Sequence, residues 1–101
     1  MILYNVTIKV DAAIADHWLE WINEEHIPDV LNTGCFNKAS LLRLLEVDDS
    51  DGPTYAIQYF AESKSSYNLY IDKFAGIMRH KSFEKWGNKF IAFRSVMQFV
   101  N

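Results

Sequence analysis

The chain carries one cysteine, two prolines and four glycines among its 101 residues. Each scarcity excludes something. A lone Cys35 cannot close an intramolecular disulfide, so the fold has to be held by packing. The glycines stand apart, at 34, 52, 76 and 87, and form no phosphate-cradling loop, which leaves nucleotide cofactors without support. No cofactor of any kind is expected. His17, His26, His80 and Cys35 show no paired ligand spacing, so no metal is expected either. The start MILYNVTIKV lacks the basic and continuous apolar regions of a signal peptide, and no apolar run approaches the roughly 20 residues that span a bilayer. A soluble protein of the reducing cytoplasm, with no membrane partner, is the expectation.

Basic residues are scarce in the first part of the chain. Residues 1–63 hold three Lys or Arg against eleven Asp or Glu, and residues 64–101 hold seven against two, so the parts carry −8 and +5 within a net charge of −3. Two solvated helix faces of opposite sign lying near each other account for this split; a basic surface for an acidic ligand is the sharper alternative. The acidic pI of about 5.5 lacks the basic footprint that phosphate binding needs, so no nucleic-acid partner is expected.

What is plentiful is apolar and aromatic surface, 50% and 15% of residues, well above what a disordered chain carries. A chain of this size hides only about 60–68% of its unfolded surface, so 1–101 reads as one domain with a thin core. ILYNVTIKV alternates strictly and reads as a strand. Asp11 is placed to cap a helix whose stripe is Ile14, Trp18, Trp21 and Ile22, with His26 next along it. Pro28 pushes Ile27 out of the α region, which predicts a stop or kink there and a short new turn ending at Gly34. Residues 36–47 read as a second strand, the acidic turn DDSDGP as a hairpin connection, and TYAIQYFAE as the third strand. That turn is no calcium loop, because aligning Gly52 with the glycine of an EF-hand puts Val47 first and Gln58 last. A second helix from Ser63 carries Tyr67, Tyr70, Ile71, Phe74, Ile77 and Met78, is extended or restarted by Lys81 to Trp86 and stops at Gly87. KFIAFRSVMQFV closes the chain as a strand.

The order βαββαβ predicts an α+β, ferredoxin-like layout: a four-stranded antiparallel sheet with two helices on one face. In a monomer the bare face should be polar. Here the last strand puts Ile91, Phe93, Met97 and Phe99 on one face and Phe90, Ala92, Val96 and Val100 on the other, so both faces need cover. Pairing with an identical chain into a dimeric α+β barrel is the simplest solution. The strings YNVTIKVD, HIPDVLNTG, YAIQYFAES and NKFIAFR, spread over nearly the whole chain, resemble a bacterial family known as domain of unknown function 4286 (DUF4286). That resemblance implies the dimeric α+β barrel and brings no catalytic residues with it. The His-x-Pro closing the first helix is also similar to cofactor-free barrels that oxidise, isomerise or degrade small aromatic or polyketide-like molecules.

Candidate chemistry starts at His26, an inward histidine suited to accept a proton, with Asp29 three residues on as its orienting group. Its structural alternative is a ring N–H that satisfies carbonyls at a helix end. Polar residues on apolar strand faces are the other pointers, because burying them unpaired is unfavourable: Asn5, Thr7, Arg43, Gln58 and Arg94, with Tyr59 added. They either line a pocket for a small apolar or aromatic molecule inside each half of the barrel, with His26 and Arg94 or Arg43 sharing one cavity, or hydrogen-bond across a filled dimer interface. An RNA platform of the same element order is disfavoured, since TYAIQYFAE lacks the basic residue and glycines of the RNA-recognition strand.

Overall fold

The computed structural model describes residues 1–101. Strict alternation in β1 (Ile2–Val10) buries Ile2, Tyr4, Val6, Ile8 and Val10 on one face and leaves Leu3, Asn5, Thr7 and Lys9 on the other. β2 (Lys38–Arg43), β3 (Thr54–Ala61) and β4 (Phe90–Gln98) join it in an antiparallel sheet of order β2-β3-β1-β4. Helices α1 (Ala15–Trp21), α2 (Ile27–Leu31), α3 (Lys64–Lys73) and α4 (Ala75–Trp86) cover the face that carries the buried half of β1.

Register assigns every strand residue to a face. Val6 pairs with Arg94 and Ile8 with Ala92, so Phe90, Ala92, Arg94 and Val96 face the helices. Tyr55, Ile57 and Tyr59 do the same from β3, as do Ala39, Leu41 and Arg43 from β2. On the bare face Ser40, Gln58, Asn5 and Ser95 form one row across all four strands. Apolar groups flank that row, with Leu42, Ala56 and Phe93 on one side and Phe60, Leu3 and Met97 on the other. Phe93 is 69% exposed and Ile91 59%.

Four local expectations are corrected. Asp11 caps a turn rather than a helix: its carboxylate accepts from Ala13 N–H at 2.8 Å, and α1 begins only after Ile14. Ile27 stays helical, with φ −59° and ψ −47°, and Pro28 breaks nothing. A π-helical turn, Ile22–His26, joins α1 to α2, and Ile27 N–H donates to the Ile22 carbonyl. In a regular helix the proline ring would meet the carbonyl four residues back; widening the turn before it relieves that clash. The expected second helix is interrupted at Phe74, whose backbone (φ −125°, ψ −30°) leaves the helical region between α3 and α4. The second strand is also shorter than the expected 36–47, ending at Arg43 where the chain turns into the acidic loop.

Other punctuation lies where the residue types demand it. Ser63 Oγ accepts from Ser66 N–H at 3.2 Å and starts α3. Gly34, at φ +78°, follows the end of α2. The aromatic core between the layers is dense, with Tyr4 against Phe36, Tyr59, Tyr67 and Tyr70 at centroid separations of 5.4–6.1 Å. Each such buried ring contributes about 1.5–3 kcal/mol of burial free energy. Trp21 meets Trp86 at 5.9 Å, and Asp29 meets Lys81 at 3.8 Å, so the acidic first helical segment lies against the basic α4.

Candidate functional site

The layer between sheet and helices is not completely filled. A concavity of about 490 Å³, open space at its mouth included, is walled by Tyr4, Val6 and Ile8 of β1, Ile57 and Tyr59 of β3, and Phe90, Ala92 and Arg94 of β4. The helices close it with Trp18, Ile22, His26, Tyr70, Met78, Arg79 and Ser82. About 40 Å³ of it is wide enough for the centre of a water-sized group.

His26 owes its place to the π-turn. Five residues apart in an α-helix, two side chains diverge by about 140°; the wider turn swings His26 back to the side of Trp21. The two rings stack at 4.8 Å and 27°. Burial pushes the imidazole pKa down to about 4; Asp29 raises it, while Lys81 and Arg94 lower it further. His26 is therefore neutral at pH 7, free both to accept a proton and to donate its ring N–H.

Tyr59 is the most unusual group in the cavity. Its side chain is 2% exposed and its hydroxyl has no hydrogen-bond partner. An unpaired buried hydroxyl costs about 1–3 kcal/mol. Burial, with Tyr70 and Tyr4 nearby, drives the Tyr59 phenol pKa far up, and Tyr70 is raised for the same main reason, so both stay protonated. Arg79 Nη2 donates to Tyr4 Oη at 3.2 Å, fixing one side of the mouth from α4. Arg94 reaches the mouth from the β4 edge and acts electrostatically on both His26 and Tyr70.

The residues singled out from the sequence thus separate into four groups. His26, Tyr59 and Arg94 share the helix–sheet cavity. Asn5, Thr7 and Gln58 lie on the bare face, where Asn5 Nδ2 donates to Thr7 Oγ1 at 2.9 Å. Arg43, on the helix-facing side but at the exposed end of β2, pairs with Asp49 at 2.9 Å and does not line the cavity. Asp29 makes no hydrogen bond to His26; it pairs with Lys81 and reaches the imidazole through space. Sequence reasoning missed Tyr4, Tyr70 and Arg79. Tyr4 was visible as the phenol on the buried half of β1, and Arg79 as the residue one turn beyond Ala75 on α4. Among the remaining candidates, Cys35 is a buried free thiol and His80 pairs with Glu84 at 2.7 Å on the surface.

A four-stranded antiparallel sheet of this order, with helices on one face and a cavity between the layers, defines a ferredoxin-like protein. The chain belongs to the family described as a domain of unknown function (DUF4286), which it matches over residues 1–100. No curated protein sequence matches it. Solved structures share the fold at low identity. A dimeric ferredoxin-like protein from an uncultured marine organism superposes with a TM-score of 0.74 at 10% identity, over 99% of this chain and 95% of that one. The heme-degrader MhuD from Mycobacterium tuberculosis, with two hemes bound in its active site, gives 0.72 at 14% identity, over 100% and 97%. A variant of SnoaB, a cofactor-independent oxygenase from Streptomyces nogalater, gives 0.67 at 14% identity, over 99% and 93%.

Proposed function

We propose that this protein is a homodimer that binds a small apolar or aromatic molecule in the cavity between its sheet and helices. The observation that carries the reading is an apolar concavity lined by Tyr59, whose buried hydroxyl is unpaired, together with His26 and Arg94. Apolar walls with a few converging polar groups are the usual make-up of a small-molecule site. Dimerisation through the bare face is supported by its exposed Ile91, Phe93 and Met97 and by the fold's likeness to a protein described as dimeric. A cytoplasmic location fits the free Cys35 thiol and the lack of any helix long and apolar enough to cross a membrane.

A second reading has one observation in its favour. His26 lines the cavity as a neutral imidazole, so a bound molecule with an acidic C–H or O–H would meet a proton acceptor there, and oxygenase or isomerase chemistry without a cofactor becomes accessible. Asp29 would assist by field alone.

Native mass spectrometry of freshly purified protein, alone and with added 2-naphthol or 2-naphthoate, tests the main reading. The expected result is a dimer that carries small-molecule mass, and loses it in Ala92→Phe, which fills the cavity from β4. A monomer sinks the dimer; a dimer to which neither compound adds mass sinks the ligand site.

A further inference from the structure

The cavity has a one-sided charge. Not one of its lining residues is Asp or Glu, yet two of the chain's three arginines reach its mouth. The third, Arg43, is neutralised by Asp49, and Lys81 by Asp29. Arg79 bonds only to a neutral phenol, Tyr4, and Arg94 has neither a hydrogen bond nor an ion pair within the chain. Behind these two cations the walls turn apolar and aromatic, and they include Tyr59, whose buried hydroxyl has no partner.

Resting on the small-molecule reading of this cavity, we infer that its ligand is an aromatic acid: a planar apolar body with an anionic oxygen group held by Arg79 and Arg94, and an oxygen at the inner end bonded to Tyr59. The chemistry of each part follows from its surroundings. Guanidinium groups bind carboxylates and phenolates through paired N–H donors, an interaction a neutral amide cannot match. Flat rings pack against Tyr4, Tyr70 and Ile57 without needing polar partners. A hydroxyl or carbonyl at the far end satisfies the Tyr59 hydroxyl, which the protein leaves unpaired. Both arginines come from the basic stretch 64–101.

The anion also bears on His26. Arg94 and Lys81 both disfavour its protonated form, and an anion beside Arg94 offsets that field. Ligand binding therefore raises the imidazole pKa, bringing the histidine closer to the range in which it exchanges protons at neutral pH.

The test compares 6-hydroxy-2-naphthoate with the isosteric 6-hydroxy-2-naphthamide by titration calorimetry, with the His26 ring followed by NMR. The naphthoate should bind at least about tenfold more tightly, the difference expected when a charged hydrogen-bond partner replaces a neutral one. Added salt should weaken the naphthoate and not the amide. Arg94→Gln and Arg79→Gln, both at exposed positions, should each shrink the preference, and together abolish it while amide binding survives. Tyr59→Phe should weaken both compounds and leave unsubstituted 2-naphthoate unaffected. The His26 pKa should rise with the naphthoate alone. Equal binding of acid and amide overturns the inference and leaves the cavity as a neutral-ligand site; so does a preference that outlives both arginine substitutions. If neither compound binds, the small-molecule reading falls along with it.

Discussion

At the scale of single residues, His26 couples the site to stability. Its folded pKa of about 4 lies below the ordinary 6.5, so as pH falls through that interval the unfolded chain takes up the proton first. The stability that the neutral ring contributes is complete above pH 6.5 and is lost progressively down to pH 4, at most about 3 kcal/mol. Urea unfolding at pH 7 and pH 4.5 should therefore show a loss in the wild type that is reduced in His26→Gln; equal losses would disprove the assignment. Tyr59→Phe should go the other way in ligand-free protein, gaining about 1 kcal/mol by deleting an unpaired hydroxyl, visible as a rise of a few degrees in Tm. His26, Tyr59 and Arg94 were legible in the sequence because each is a polar group on an apolar stripe or strand. Asn5, Thr7 and Gln58 satisfied the same criterion and went to the opposite face, since alternation states which residues share a side and not which side the helices take.

At the scale of elements, β1, β3 and the Ser63 cap follow from alternation and capping chemistry, and the structure keeps them. The first helical segment departs from expectation for a reason outside local propensity. A proline ordinarily ends a helix, but burial of Trp18, Trp21, Ile22 and Val30 on one side rewards keeping the segment continuous. The π-turn reconciles the two demands, and no periodicity argument built on 3.6 residues per turn anticipates it. The acidic loop has its own requirement at Gly52. There φ is +144°, and a Cβ would stand 1.8 Å from the Val10 carbonyl oxygen, because the loop is pinned against the end of β1 by Val10 N–H to Pro53 O at 3.0 Å and Ala12 N–H to Asp51 O at 2.9 Å. Gly52→Ala should cost about 3 kcal/mol or more. Gly34→Ala, strained in φ but facing open space, should cost about 1 kcal/mol. Chemical denaturation of the two variants side by side measures the contrast, and similar losses would contradict this account of the loop.

At the scale of the whole molecule, the two-sided apolar pattern of β4 was the clearest message of the sequence, and it is realised as an exposed apolar face crossed by the Ser40–Gln58–Asn5–Ser95 row. Phe93→Glu, in the middle of that face, should convert the proposed dimer to monomer in sedimentation experiments without unfolding it; a dimer that persists would place the interface elsewhere. Where the cavity lies was not legible. It depends on how α3 and α4 pack over the sheet, where Tyr4, Tyr70 and Met78 share the core, rather than on any motif.

The strand order carries one more consequence. β1 is the first strand along the chain, yet it lies between β3 and β4, and its last neighbour is the final strand, with Ile2 opposite Gln98. Every folding route must therefore close a loop of nearly the whole polypeptide before the central strand is complete. Closure entropy grows only as about (3/2)RT ln n, so the requirement is a modest charge on stability. Its weight falls on kinetics, because such long-range pairing slows folding, and until β4 docks the most apolar strand of the sheet stands with one edge open.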